Sequence, residues 1–222
     1  MSTSYTRRKE ISIVGGRCNT LTNVSCQSSI IGGCFNTLSY YSSFSSIIGG
    51  FSNIIGTQSC NSSTIGGRYN TLTISSRDSS IVGGYCNTLS CFSNQSTIIG
   101  GFFNTLSYNS SYSSILGGCC NTLSDNSDYS SIIGGRYNIL SGTSSRSSII
   151  GGQSATMSNS CNSVIIGGSN LQLNNQCDSV LVPSLLIAGS FSSNCGVDFG
   201  LSGNFSGITS ICVVNGMVVS IT

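Results

Sequence analysis

The sequence predicts an all-β fold, a parallel β-solenoid (β-roll or β-helix) of about ten 17-residue coils, and three observations predict it. Gly-Gly pairs begin at Gly15, Gly32, Gly49, Gly66, Gly83, Gly100, Gly117, Gly134 and Gly151, always 17 residues apart, and once more at Gly167 after a step of 16. Between the pairs the residues fall into columns of like side chains, with the unit S-S-I-I-G-G-x-x-N-T-L-S-x-x-S-x-x running from Ser28 to Phe44 and again from Ser113 to Tyr129. Each unit also carries paired glycines, β-branched pairs and many serines, all poor helix residues, in short runs broken by turn formers. A short fixed period with like residues in register is the mark of stacked coils. Coils pairing at about 4.8 Å would make ten of them a rod roughly 48 Å long.

The chain divides into an N-terminal basic arm (1–10), a repeat shaft (11–178) and a C-terminal cap (179–222). The arm holds Arg7, Arg8 and Lys9, which serve either to blunt the exposed strand edge by charge or to dock the rod onto a larger assembly. No apolar run follows this cluster, so no secretory signal is expected. No stretch is long and apolar enough for a transmembrane helix.

Within the shaft, two adjacent aliphatic columns include Ile30, Ile47, Ile98 and Ile132 in one and Ile31, Ile48, Ile99 and Ile133 in the other. Neighbouring side chains of a strand point to opposite faces. One column therefore fills the coil together with the leucine column (Leu38, Leu89, Leu106). The other forms an aliphatic stripe on an outer face, too large to leave in water. At about 1.5–3 kcal/mol per buried isoleucine, the simplest remedy is packing of like chains around an axis, a homotrimer being expected. Asn19, Asn36, Asn53, Asn70, Asn87, Asn104, Asn121 and Asn138 form a further column, able to make an amide ladder like that of stacked asparagines in cross-β structures. A serine column runs from Ser25 to Ser144, its place taken afterwards by Cys161 and Cys177. The Gly-Gly pair has two readings: a tight corner at positive φ, or close approach of neighbouring backbones.

The S-x-I-I-G-G-x-x-N-T-L-S unit resembles the repeat of the YadA-like trimeric adhesin heads. Their N-S-x-A-I-G units form a left-handed parallel β-roll of three chains around an axis. Similar units occur in tail fibres and spikes of bacteriophages and large viruses. The resemblance covers the repeat region; the adhesin unit is shorter and lacks the doubled glycine. It implies a trimeric, non-enzymatic fibre protein.

Past Asp178, Val180, Leu181, Val182 and Pro183 echo the strand. Asn215-Gly216 between β-rich runs predicts a type I′ hairpin with strands near 208–214 and 217–222. This ending resembles the C-terminal hairpin of many phage and virus structural proteins, which implies that it closes the rod and fixes chain registration. It does not resemble a self-cleaving endosialidase-type chaperone domain.

Composition narrows the function. Charged residues are 6%, hydrophobic residues 38%, and histidine and tryptophan are absent. Mean hydropathy is +0.22, which argues against disorder. A histidine-dependent enzyme and a coiled coil are excluded. With a net charge of +2 and no basic stripe, no nucleic-acid partner is expected. The six acidic residues (Glu10, Asp78, Asp125, Asp128, Asp178, Asp198) show no spacing suited to glycoside hydrolysis, and Asp125 and Asp128 read as solvated turn residues. The glycine pairs lack the aspartates of calcium-binding repeats and the lysine of a phosphate loop. No base is paired with any serine. The twelve cysteines contain no CxxC and read mainly as reduced fillers. No cofactor and no metal are expected.

The variable columns carry Arg17-Cys18, Cys34-Phe35, Arg68-Tyr69, Tyr85-Cys86, Phe102-Phe103, Cys119-Cys120 and Arg136-Tyr137, and a second set with Tyr40, Tyr41, Cys91-Phe92, Tyr108 and Tyr112. These pack at corners or between chains, or else form a surface for glycans or lateral partners. The sequence therefore leads to a viral fibre or spike, a shaft with host attachment among its expected roles, assembled in a host cytoplasm and exposed on the virion. Its partners are copies of itself and other virion proteins. The alternatives are a bacterial cell-surface adhesin or filament subunit, and, behind these, an ice-binding solenoid.

Overall fold

The computed structural model describes residues 11–22, 26–73, 75–183, 211–214 and 217–221. The arm residues Arg7, Arg8 and Lys9 and the turn residues Asn215 and Gly216 lie outside them. The chain forms two compact units, Met1–Ser184 and Leu185–Thr222.

The first unit is a parallel β-solenoid without helix among its described residues. Strands such as Ser28–Ile31, Ser46–Ile48 and Thr97–Ile99 stack into an eleven-stranded sheet, and strands such as Thr37–Leu38, Thr88–Leu89 and Thr105–Leu106 into a ten-stranded one. Each strand pairs in parallel with its counterpart one coil on: Ile30 with Ile47, Thr88 with Thr105. A third row of single-residue parallel bridges runs from Arg17 through Cys34 and Phe51 to Ser169. The first sheet continues past Asp178 through Val180–Leu181.

In the second unit Ile211–Val214 pairs antiparallel with Met217–Ile221, Val214 opposite Met217. This is the expected pairing of two antiparallel strands, with the register shifting between Cys212 and Val213; residues 208–210 of the expected first strand lie outside the described residues.

The two aliphatic columns separate as strand geometry requires. Ile30, Ile47, Ile98 and Ile132 are fully buried, as are Leu38, Leu89 and Leu106. Ile31, Ile48, Ile99 and Ile133 stand outside, 41–46% exposed. Ile13, aligned with the inward column, is exposed in the first coil, where among the described residues a stacked neighbour lies on one side only.

More of the buried residues are polar than apolar. Asn36 to Asn138 are buried without exception, and so are two serine columns, one through Ser42, Ser93 and Ser127, the other through Ser45, Ser96 and Ser130. Most of these groups are held by the neighbouring coil, and the Ser59 and Ser76 hydroxyls donate to the Thr57 and Thr73 carbonyls of their own coil, which offsets the cost of removing them from water. The backbone N–H of Ser62 donates to Ser45 Oγ at 3.1 Å, and that hydroxyl donates to the Ser59 carbonyl at 2.9 Å. The Ser96 hydroxyl repeats the pattern with Ser113 and Ser110, both at 3.1 Å.

The asparagine column is a ladder, but not of amide to amide as expected. Asn53 Nδ2 donates to the Gly66 carbonyl at 3.0 Å and the Gly67 carbonyl at 3.2 Å, and its Oδ1 accepts the backbone N–H of Asn70 at 3.0 Å. Each amide thus bridges to the next coil's backbone. The glycine carbonyls at the corner are the acceptors that the amide finds there. The ladder starts at the half-buried Asn19 and ends where Asn138 Oδ1 accepts the N–H of Ala155.

The serine column does not pass to Cys161 and Cys177. Ser160 donates its N–H to Ser144 Oγ, and Gln176 to Ser160 Oγ, both at 3.0 Å. The last coils are one residue shorter: Leu140 pairs with Met157, 17 positions on, and Ser144 is joined to Ser160, 16 positions on. The missing residue falls in that turn, so the following columns shift by one.

Candidate functional site

The outer side of the first sheet is the surface that chemistry singles out. Its outward positions are the serine or threonine row (Ser46, Ser63, Thr97, Ser131) and the aliphatic stripe, from Val14 to Ile166. No charged residue lies in the outward columns of either sheet. The stripe ends against the first glycine of each pair, over which there is open space: at Gly32, Gly49 and Gly83 a β-carbon would meet nothing within 4 Å. The aliphatic stripe is therefore open on the glycine side, and it runs from the first coil to the last aliphatic one, Val14 to Ile166.

Both readings of the Gly-Gly pair are realised: positive φ in both residues, and close approach of the neighbouring backbone in the second alone. Gly83 (φ +69°) turns the corner with space above it. Gly84 (φ +81°) turns it while its Cα lies against the next coil, a β-carbon there falling 2.6 Å from the Gly101 carbonyl oxygen.

The charges of the described solenoid sit on the corners. The corner following each strand of the first sheet carries Arg17, Arg68 and Arg136 and no acid. The corner preceding each strand carries Arg77, Asp78, Asp128, Arg146 and Asp178. Asp125, on the remaining corner, accepts a hydrogen bond from Ser124 Oγ at 3.1 Å. Asp128 Oδ1 accepts the Ser111 N–H at 2.6 Å. The two aspartates thus belong to different corners, each engaged with serine as a turn residue. Among the described residues no group of three or more His, Cys, Asp or Glu could hold a metal.

The aromatic residues are exposed but do not form one surface. Phe102 and Phe103 lie on the corner after the glycines, Tyr40, Tyr41 and Tyr108 on the corner after the second sheet, and Tyr112 on the corner before the first. The first group is a ladder: Phe35–Phe51, Phe51–Tyr69, Tyr69–Tyr85 and Tyr85–Phe102 have ring centroids 5.1–5.7 Å apart. Arg68 lies over the Phe51 and Tyr69 rings and Arg136 over Tyr137. Tyr112 stacks on Tyr129 at 4.7 Å and 6°. Many of these corner residues hold left-handed backbone, for example Phe44, Phe103, Tyr112 and Tyr129 at φ 54–60°.

The cysteines of the described solenoid, from Cys18 to Cys177, are free. Cys119 and Cys120 have sulfurs 3.2 Å apart, and this hydrogen bond, more than burial and the charge of Cys119, pushes the Cys120 thiol up against the opposing pull of Arg136. Sequence reasoning missed the buried serines; their signal was a pair of serines three apart, recurring with the coil (Ser42 and Ser45, Ser59 and Ser62). Among the described residues no helix is long and apolar enough to cross a membrane. No protein-family model matches the chain, and a search of curated proteins finds no match.

Proposed function

We propose that this chain is a non-enzymatic structural shaft, a fibre or spike element of a virus particle, built by packing copies of itself along the aliphatic stripe, three around a common axis. The observation that carries the reading is the stripe. Ile48 and Ile99 remain 42% and 46% exposed in the single chain while Ile47 and Ile98 are fully closed. An uncharged aliphatic row repeated from coil to coil fits a second rod of the same period better than any small ligand. The resemblance of the repeat to trimeric adhesin heads and viral fibres supports the number three and the placement on a particle. Three interior polar ladders supply what a shaft needs, a backbone tied to its neighbour from coil to coil.

Light scattering on the full chain tests this. A mass near three times 22.9 kDa is expected. Ile99→Lys with Ile133→Lys is expected to bring it down to one chain, with the strand content by circular dichroism unchanged. A wild-type chain that stays at one mass unit at all concentrations overturns the reading.

A further inference from the structure

The two corners bounding the stripe differ in charge, and the difference selects how copies pack. This inference rests on the reading of the stripe as a face between copies. Any cyclic arrangement about an axis parallel to the rods keeps every coil at its own height. It sets the corner preceding the strand in one copy against the corner following the strand in the next. A twofold axis across the rods instead sets each corner against its own kind. The following corner carries only arginines among its charged residues, Arg17, Arg68 and Arg136, so that arrangement sets arginine rows against each other.

In the parallel arrangement one coil is matched at a single height. The strand Ser131–Ile133 is preceded by Asp128 and Tyr129 and followed by Arg136 and Tyr137. Arg136 is exposed, and its guanidinium lies over the Tyr137 ring, 5.2 Å from the ring centroid. Asp128 is half-buried, its Oδ1 spent on the Ser111 N–H, which leaves Oδ2. Four further charges meet no like charge at their own height: Arg77 and Asp78 face the Tyr85-Cys86 corner, Arg146 faces Gln153-Ser154, and Arg68 faces Cys60-Asn61. Arg68 is moreover one coil, about 4.8 Å, from Asp78. We infer that Arg136 of one copy pairs with Asp128 of the next, and that this pair holds the copies parallel and in register along the stripe.

The test uses the full chain and reads assembly by light scattering across protein concentration, at 0.05 M and 1 M salt. Arg136→Glu is expected to weaken assembly about tenfold at low salt, the effect shrinking at high salt as the charges are screened. Asp128→Asn, which keeps the acceptor for Ser111, is expected to weaken it less. Adding Asp128→Lys to Arg136→Glu restores assembly. An independent readout mixes two chains, Asp128→Cys and Arg136→Cys, and expects a disulfide joining the two different chains on oxidation by glutathione disulfide. Wild-type multimers that are indifferent to Arg136→Glu and give no mixed disulfide overturn the pair and leave the stripe reading standing. A wild-type monomer overturns the stripe reading and the pair with it.

Discussion

Asn87 Nδ2 occupies the space that a β-carbon on Gly84 would need, and the Gly101 carbonyl closes the other side at 2.6 Å. The two residues define each other. The amide reaches the next coil's glycine carbonyls only because the glycine beneath it has no side chain. Gly83, one residue earlier, has the same sign of φ and open space. Gly83→Ala should therefore cost the left-handed penalty alone, about 1–2 kcal/mol, and Gly83→Asn less. Gly84→Ala should cost that plus the displacement of Asn87 and the next coil, in all about 3 kcal/mol or more. Urea melts of the three variants check the order; equal costs for Gly83→Ala and Gly84→Ala would show that the close approach has no energetic weight.

The ladder can be broken at its middle. Asn104 Oδ1 accepts the N–H of Asn121 at 3.0 Å, and Asn104 Nδ2 donates to the Gly118 carbonyl at 3.2 Å. Asn104→Ala leaves a buried donor and a buried acceptor without these partners and should cost about 2–4 kcal/mol. Asn104→Asp keeps the acceptor and buries a carboxylate, whose folded-state pKa rises above its unfolded value of about 4. Its stability is thus greatest in acid and falls as the pH climbs through that range. Thermal melts between pH 3 and 7 read the slope, and a flat profile for Asn104→Asp would count against a buried amide.

The architecture was legible because period and column are written directly in the chain. Ile30 beside Ile31 dictates one side chain in and one out once strand geometry is granted. The interior chemistry was harder to read. Serine in abundance usually marks an outer surface, and nothing local to Ser45 says that its hydroxyl lies inside; only the stacked coil supplies its partners. The passage from Ser144 to Ser160 rather than Cys161 depended on where a single residue was lost, and two alignments differing by one residue look alike until hydrogen bonds choose between them. The exposed aromatics looked like one surface, but Tyr40, Phe102 and Tyr112 occupy three corners, which residue type alone does not separate.

Thr64 breaks the inward aliphatic column between Ile47 and Ile81, and its Oγ1 is buried without a hydrogen-bond partner. A buried hydroxyl left unpaired costs about 1–3 kcal/mol. Thr64→Val, which keeps the shape and removes the hydroxyl, should therefore stabilise the chain by about 1–2 kcal/mol. Thr64→Ile restores the residue found at this height in the adjoining coils and should do at least as well. A rise in the denaturation midpoint with an unchanged denaturant slope is the expected result; a loss of stability in Thr64→Val would mean that the hydroxyl is satisfied in solution.

Cys120 titrates later than an ordinary thiol because its proton is shared with Cys119 Sγ, 3.2 Å away, with burial and the charge of Cys119 adding to the shift and Arg136 opposing it. The thiolate is the reactive form, so alkylation of Cys120 should begin at a higher pH than in the Cys119→Ala variant, which removes the largest cause. Arg136→Gln removes the opposing charge and should move the onset higher still. The onset is read as the midpoint of the labelling rate against pH, peptide by peptide, by mass spectrometry. A midpoint is insensitive to how freely the reagent reaches this corner. An unchanged midpoint in Cys119→Ala would mean that the two sulfurs do not share the proton.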